Sequence, residues 1–330
     1  MKKSIATLLM FIIVFLVGCS SRQDTGDGNS ELLFTVTRGS SAQQVAADLA
    51  ESKLIRNRTI FLLRLRLLGV DKRLEAGTYR FRKSSRMGEI IRILADAKVA
   101  KSRVTIPEGA TLSAIARAMD KAQVAASGDF LRAAGDPALL KQYHIPGKSF
   151  EGYLFPDTYD ISLGSGGQAV VELMARRFFE RIAKFSPGAA DNPEALYKNV
   201  VLASIVEREY RVAEEAPLIA SVFRNRLKIG MALQSCATVV YVLTEREGKP
   251  HPSVVYFKDL EVDDPYNTYR HPGLPPGPIA NPGATALAAV FSPAKSEYLY
   301  FRITDEVSGT HRFSRTFEEH KEISIPVKGL

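Results

Sequence analysis

Two acidic residues, Glu207 and Glu209, end an apolar segment and are the side chains in this sequence best suited to catalysis. The eleven residues before them read LYKNVVLASIV and carry few strongly polar groups. A carboxyl group against an apolar wall has a raised pKa because burial penalises its charged form, and a general acid at neutral pH needs that condition. A structural alternative is that both acids form buried ion pairs with nearby arginines, for example Arg208 or Arg224.

The apolar pattern of this segment predicts a buried helix that includes both acids. Because each helical residue advances about 100°, Glu207 and Glu209 would point about 200° apart. They could not flank one scissile bond together, as the carboxylate pair of most glycosidases does. We therefore expect one acid to face a cleft and the other to serve as a structural partner. The pattern alone does not choose between them.

Other common reaction types find little support in the sequence. The histidines show no HExxH or CxxC grouping, and the chain has neither a Gly-rich phosphate loop nor a GxSxG sequence. We therefore expect no metal and no cofactor. Cys236 lies alone in an apolar stretch, which favours a small core residue over a nucleophile.

Two similar strand–turn–helix patterns, offset by 70 residues, occur at residues 34–50 and 104–119. Each has alternating apolar residues, then a glycine, then an Ala-rich stretch. Ser41 and Thr111 stand where N-caps of the two helices belong. Between the two patterns, the sequence predicts a basic helix, a strand and an amphipathic helix.

From Ser149 onward the composition changes to aromatic, Pro-punctuated segments and longer helical stretches. Helices are predicted at residues 168–185 and 216–230, and a β-hairpin at residues 298–314. Residues 272–282 carry five prolines and so must form a defined loop. The whole pattern indicates an α+β protein, with an α+β module over residues 32–148 and a mixed α/β domain over residues 149–330.

The first residues have the layout of an export signal. Two lysines, an apolar run and small residues predict a signal peptide over residues 1–18, and LVGC resembles a bacterial lipobox with Cys19 as the lipidated residue. Residues 19–31 would form a polar, Gly-rich tether. The alternative is a plain signal peptide or a membrane anchor, although the apolar run is shorter than the roughly 20 residues that span a bilayer. With Cys19 lipidated, Cys236 has no partner for an intramolecular disulfide.

Positive charge is concentrated in one region. The chain has a net charge of +8, and residues 51–103 hold 15 Lys and Arg against 5 Asp and Glu. Such a surface suits anionic lipid headgroups or an acidic cell-wall polymer, or is simply a solvated basic face. Nucleic acid is not expected as a partner because the chain carries an export signal.

Several segments, in the same order and register, resemble the MltG (YceG-like) family of endolytic murein transglycosylases. The resemblance extends from about Leu33 to the C-terminus, and its motifs are EGYLFPDTY, LASIVEREY, VFRNRLKIGMALQS, YNTY, GLPPGPIANPG and HRFSRTFEEH. Several motifs in register are far more specific than any one of them. Their presence implies a LysM-like N-terminal module and a catalytic domain with a Pro/Gly-rich groove loop.

The resemblance also implies a reaction and its residues. The bond between N-acetylmuramic acid and N-acetylglucosamine is cleaved without water, and a 1,6-anhydro end forms. The second acid of the E-x-E element, Glu209, would be the single acid/base, with Glu207 as a supporting structural acid. The residues implied to bind the glycan are Gln234, Tyr266, Asn267, Thr268 and Tyr269.

The expected partners are peptidoglycan glycan strands, a membrane reached through the lipid anchor, and peptidoglycan synthases. The expected location is the bacterial envelope, facing the periplasm or extracytoplasmic space. Two alternatives remain open: a muramidase that hydrolyses the same bond, and a non-catalytic wall-binding lipoprotein. The chain departs from the family in its lipobox, in Tyr210 after the E-x-E, and in LQSCAT where LQSDPT is usual, with Cys236 and Ala237 replacing an acid and a proline.

Overall fold

The computed structural model describes residues 30–305 and 307–323 of the chain. The predicted signal peptide, Cys19 and nearly all of the tether lie outside these residues. The chain divides into two compact units: a smaller one reaching to Lys101 and including Ser162–Gly164, and a larger one built from Ser102–Ile161 and the chain from Ser165 onward. Both contain helices and short strands, and the α+β prediction is confirmed at this level.

The smaller unit packs three helices against an antiparallel strand pair. Phe34 and Tyr79 face each other across the two strands, and both are buried in the core of this unit. Its elements, in chain order, are β1 (Glu31–Val36), α1 (Ala42–Glu51), α2 (Arg58–Leu67), β2 (Gly77–Arg82) and α3 (Met87–Ala95). The basic helix, the strand and the amphipathic helix predicted in this region are confirmed.

The larger unit is mainly helical and has its own continuous hydrophobic core. Its elements are β3 (Lys101–Thr105, of which Lys101 is the last residue of the smaller unit), α4 (Leu112–Lys121), α5 (Ser127–Ala134), α6 (Pro137–Gln142), β4 (Thr158–Ser162), α7 (Gly167–Phe185), α8 (Pro193–Glu207), α9 (Ala216–Lys228), α10 (Cys236–Tyr241), α11 (Ala284–Phe291), β5 (Tyr300–Ile303), β6 (His311–Ser314) and α12 (Phe317–Glu322). β3 pairs with β4, and β5 pairs with β6 as the predicted antiparallel hairpin.

The predicted helix caps are also confirmed. The Ser41 side chain accepts a hydrogen bond from Gln44 N, and the Thr111 side chain accepts one from Ala114 N. The compact units divide near residue 101, whereas the sequence placed a module boundary after residue 148. Residues of the intervening stretch, such as Ile115 and Phe130, pack into the core of the larger unit. The boundary after residue 148 stays a prediction.

Helix α8 is shorter than the apolar pattern predicted. It begins at an Asn192 cap followed by Pro193, and it ends at Glu207, so the prediction that the helix includes Glu209 was wrong. Backbone N–H groups of Arg208 and Glu209 bond to carbonyls three residues earlier, which tightens the chain into a turn. The backbone is therefore helical at Glu207, whereas Glu209 lies in the turn that follows the helix. Within the described residues, no helix is both long and apolar enough to span a bilayer.

The Pro/Gly loop (residues 272–283) follows one side of helix α8. Ser204 lies seven residues after Tyr197, and Glu207 lies three residues after Ser204. This spacing places the three side chains on one helical face. Three hydrogen bonds hold the loop there: Tyr197 Oη to Pro276 O (2.8 Å), Ile279 N to Ser204 Oγ (3.0 Å), and Gly283 N to Glu207 Oε2 (2.9 Å). The loop is thus held in place by the helix that ends at the two acids.

Candidate active site

Glu209 lines a cavity of about 300 Å³ in the larger unit. Among the residues that the sequence singled out, Gln234, Cys236 and Tyr269 line the same cavity. Aromatic rings and one arginine complete the wall. The remaining lining residues are Phe223, Arg226, Leu233, Ser235, Tyr300, Phe301, Phe317 and His320.

The Glu209 carboxyl group is held by a single side chain. Ser235 Oγ donates a hydrogen bond to Glu209 Oε1 across 2.5 Å. Burial raises the pKa of Glu209, while the Ser235 hydrogen bond and the positive charges of Arg226 and Arg208 act in the opposite direction. Because desolvation is the largest of these effects, the group holds a proton more readily than a carboxyl group in water.

Arg226 supplies a fixed positive charge near Glu209. Its Nε donates to Leu299 O and its Nη1 to Leu233 O, both at 2.6 Å, and its guanidinium lies 5.3 Å from the centre of the Tyr300 ring. Burial lowers the pKa of Arg226 below its usual value. Within the described residues, these contacts hold the guanidinium without a carboxylate partner. Its positive charge therefore remains available to the cavity that Arg226 and Glu209 both line.

Gln234 has an unusual backbone conformation at the mouth of this cavity. Its φ is +51°, in the left-handed region that non-glycine residues rarely adopt, and its side chain is exposed. Gln234 N donates to Thr268 O, and Ser235 N donates to Thr268 Oγ1. Strained conformations of this kind persist where surrounding contacts impose them, and they are enriched at functional sites.

Thr268 and Asn267, which the resemblance implied as glycan-binding residues, are fully buried. The Asn267 amide nitrogen donates to Leu260 O and Val262 O, and its oxygen accepts from Tyr269 N. Thr268 binds the segment that carries Gln234. In this conformation both residues shape the backbone that presents Gln234 and Tyr269.

Tyr269 and Cys236 meet at the rim of the cavity. Tyr269 Oη lies 3.0 Å from Cys236 Sγ, and Cys236 is exposed. The interpretation of Cys236 as a core residue was therefore wrong. It begins helix α10, whose buried residues are Thr238 and Val239, while Cys236 itself lines the cavity. Burial, followed by the Cys236 contact, raises the pKa of Tyr269.

Glu207 has different surroundings. Its Oε2 accepts from Gly283 N at 2.9 Å, and its Oε1 accepts from Tyr210 Oη at 3.4 Å. Burial raises its pKa to about 7, and the nearby charge of Glu108 adds to the rise. None of the ion pairs among the described residues involves Glu207 or Glu209, which removes the structural alternative of two buried ion pairs.

Tyr266 lines another cavity, of about 420 Å³, together with Tyr197 and Glu151. Its ring lies 5.1 Å from that of Tyr241, and the Arg246 guanidinium lies 5.1 Å from its centre. Tyr266 therefore does not line the Glu209 cavity, although only two residues lie between it and Tyr269 in the chain.

A third cavity, of about 650 Å³, adjoins the Glu209 cavity through consecutive residues. Arg208 and Ala237 line the larger cavity, and their chain neighbours Glu209 and Cys236 line the smaller one. Charges of both signs surround the larger cavity: Glu108, Arg117, Arg208, Glu245 and Lys249. A long polymer could therefore contact both cavities at once.

Glu151 is a buried acid that the sequence analysis did not single out. Both of its oxygens accept from Leu112 N, and its Oε1 also accepts from the Asn281 amide nitrogen. Burial raises its pKa to about 8. The Asn281 amide oxygen accepts from Gly152 N and Leu154 N, so this pair joins helix α4, the segment after Glu151 and the Pro/Gly loop.

Sequence reasoning also missed Ser235 and Arg226. Their partners lie 26 and 73 residues away in the chain, so no local pattern predicts them. The one available signal was the position of Ser235 directly after Gln234 in the quoted LQS sequence. Among the described residues, no group of three or more His, Cys, Asp or Glu side chains is arranged to hold a metal ion.

A profile of the YceG-like family matches residues 34–324, which is most of the chain. The chain belongs to the YceG-like family. An endolytic murein transglycosylase of Bacillus subtilis is 31% identical over 319 residues, covering 90% of this chain and 84% of that protein. The protein of the same name from Streptococcus pneumoniae serotype 2 is 27% identical, and this chain spans 58% of its length.

A crystal structure of a YceG-like protein of Listeria monocytogenes is similar to this chain throughout. It is 32% identical, superposes with a TM-score of 0.60, and covers 90% of this chain and 100% of its own. The expected membership of the YceG-like family is thereby confirmed by sequence and by structure.

Proposed function

We propose that this YceG-like protein is an endolytic peptidoglycan lytic transglycosylase. It cleaves the β-1,4 bond between N-acetylmuramic acid and N-acetylglucosamine within glycan strands and leaves 1,6-anhydro-muramic ends. The Bacillus subtilis relative, which is named an endolytic murein transglycosylase, supports this assignment because it is 31% identical over most of both chains. The single structural observation that carries it is a desolvated carboxyl group, Glu209, in a cavity walled by aromatic and amide groups.

Glu209 acts first as the general acid. Its raised pKa favours the protonated form, and the carboxyl group gives its proton to the glycosidic oxygen as the bond from C1 breaks. The resulting carboxylate then takes the proton of the muramic C6 hydroxyl as that oxygen bonds to C1. Water is not consumed, and the carboxyl group ends protonated again. An intramolecular nucleophile has a high effective molarity, so a second catalytic carboxylate is not required.

The remaining groups of the cavity hold the reacting sugar. Arg226 stabilises the carboxylate form of Glu209 through its positive charge, and Ser235 orients it. Gln234 and Tyr269 contact the glycan directly, because amide and aromatic groups suit acetamido groups and sugar rings. Asn267 and Thr268 fix the backbone beneath them, and Tyr266 contacts a more distant part of the strand. Glu207 holds the Pro/Gly loop, which forms one wall of the glycan groove.

The protein acts in the bacterial envelope, where its polymer substrate lies. Lipidation of Cys19 holds the protein at a membrane, near peptidoglycan synthases, where the enzyme trims or terminates new strands. Residues 32–148 serve as a LysM-like module that keeps the enzyme close to peptidoglycan. The relatives named murein transglycosylases support the envelope location.

Mass spectrometry of the products tests this function. Purified sacculi are digested with the wild type, Glu209→Gln and Glu207→Gln. We expect 1,6-anhydro-muropeptides from the wild type and Glu207→Gln, and a loss of about 10²–10⁴-fold in Glu209→Gln, the range of general acid–base catalysis. Reducing muramic ends would instead identify a hydrolase. Binding of sacculi without release of fragments would identify a wall-binding protein.

A further inference from the structure

Helix α2 of the smaller unit is apolar on two opposite faces. Phe61 and Leu65 have no exposed surface and belong to the core of this unit. At about 100° per residue, Ile60, Leu63 and Leu67 fall within a sector of about 60°, roughly opposite Phe61 and Leu65. On an ordinary surface helix that sector carries polar side chains. The core of the smaller unit therefore does not explain the second apolar face.

The second face is open to solvent. The exposed fractions are 46% for Ile60, 47% for Leu63 and 77% for Leu67. These three side chains, which we call the outer leucine face, account for three of the twelve large hydrophobic residues that are exposed in the described parts of the chain. Clustered exposed apolar groups of this kind mark surfaces that bind another phase or molecule.

Exposed positive charges lie on helix α2 and close to it in the chain. Arg56, Arg58, Arg66 and Lys72 are exposed, and none of them forms an ion pair within the described residues. They belong to the stretch from residue 51 to residue 103, in which 15 Lys and Arg accompany 5 Asp and Glu. Charge complementarity therefore points to a partner that is anionic at its surface and apolar beneath.

We propose that helix α2 lies in the interface of an anionic phospholipid bilayer. The outer leucine face enters the boundary between headgroups and acyl chains, and nearby cations such as Arg66 bind lipid phosphates. An acidic polymer would use the cations and leave the three apolar side chains unexplained. An apolar protein surface would leave the cations unexplained. A helix with both features is typical of binding in the plane of a membrane surface.

The sequence contains no tryptophan, which makes a local test possible. Leu67→Trp places a unique fluorophore on the outer leucine face, and Ile229→Trp places one at an apolar site of the larger unit with similar exposure, 61%. The full chain is reconstituted with vesicles of phosphatidylcholine alone or with phosphatidylglycerol added. A local probe is needed because the N-terminus could itself hold the chain at the vesicle.

We expect the Leu67→Trp emission to move to shorter wavelength with phosphatidylglycerol, to be quenched by brominated acyl chains, and to return towards the aqueous value at high salt. The Ile229→Trp emission should not change. Ile60→Trp should repeat the Leu67→Trp result, and adding Arg66→Glu should weaken it. Equal Leu67→Trp emission with both vesicles, without quenching, would overturn the proposal. A shift caused by soluble polyglutamate without quenching by lipid would overturn it in favour of a polyanion.

Discussion

The Ser235 hydroxyl group donates a hydrogen bond to the Glu209 carboxyl group, with 2.5 Å between Oγ and Oε1. Of the contacts that favour the charged form of Glu209, this one has the largest effect on its pKa. Glu207, two residues earlier, accepts from a backbone N–H group of the Pro/Gly loop instead. The two acids of the E-x-E element thus depend on different parts of the chain.

Replacing Ser235 with alanine should move the pH profile of the reaction. The hydroxyl group lowers the pKa of Glu209, so its removal raises that pKa further. The reaction begins with protonated Glu209, and the high-pH limb of kcat/KM should therefore move to higher pH, by up to about one unit for one hydrogen bond to a charged group. Release of anhydro-muropeptides at a series of pH values measures this. An unmoved limb, or one displaced to lower pH, would contradict it.

Comparing Glu207→Ala with Glu207→Gln should show that Glu207 anchors the Pro/Gly loop and does not catalyse the reaction. The alanine variant leaves Gly283 N without its acceptor, which should lower the free energy of unfolding by about 1–3 kcal/mol. The glutamine variant keeps an oxygen for Gly283 and should stay close to the wild type in stability and in product type. Urea denaturation and product analysis check both. Equal stability of the two variants would show that Glu207 does not hold the loop.

Glu151→Gln should change how stability depends on pH. The folded-state pKa of Glu151 is raised to about 8 from an ordinary value of 4.5, so the native state binds more protons than the unfolded chain between these values. Stability should therefore fall as pH rises from about 4.5 to about 8, by several kcal/mol at most, since one pKa unit is about 1.4 kcal/mol. Glutamine cannot ionise, and its oxygen can still accept from Leu112 and Asn281. Urea denaturation at pH 5 and pH 9 should show the variant losing less stability than the wild type.

Gly152→Ala and Gly273→Ala form a matched pair. Both glycines have positive φ, +87° and +95°, so alanine meets the same backbone strain at each. A Cβ at residue 152 would lie 2.7 Å from atoms of Pro278 and Val200, whereas one at residue 273 would meet nothing within 4 Å. We expect Gly273→Ala to cost about 1 kcal/mol and Gly152→Ala clearly more. Similar urea midpoints for the two variants would show that Gly152 does not limit the approach of the Pro/Gly loop.

The sequence predicts the local elements well because their signals are local. Ser41 and Thr111 cap their helices within three residues of themselves, and the final hairpin follows from two short strand patterns around a turn. The end of helix α8 carries neither glycine nor proline. At its tightened last turn, Glu207 accepts a hydrogen bond from Gly283 N, 76 positions later in the chain, so the pattern overextended the helix.

The site was only partly predictable because several of its contacts join residues that are far apart in the chain. Glu209, Gln234 and Tyr269 share one cavity, and the resemblance to the family had singled out all three. The resemblance implied that Asn267 would bind sugar, but an amide can satisfy loop carbonyls equally well, and only the tertiary structure decides between these uses. Cys236 was misplaced because its apolar neighbours belong to the buried side of a short helix and it begins the exposed side.

The three hydrogen bonds between helix α8 and the Pro/Gly loop restrict which changes in length the protein can tolerate. Pro276, Ile279 and Gly283 must each meet a fixed partner on a rigid helix. Removing or inserting one residue between them would misalign at least one pair, whatever the residue's type. Related sequences should therefore keep the number of residues in this segment unchanged.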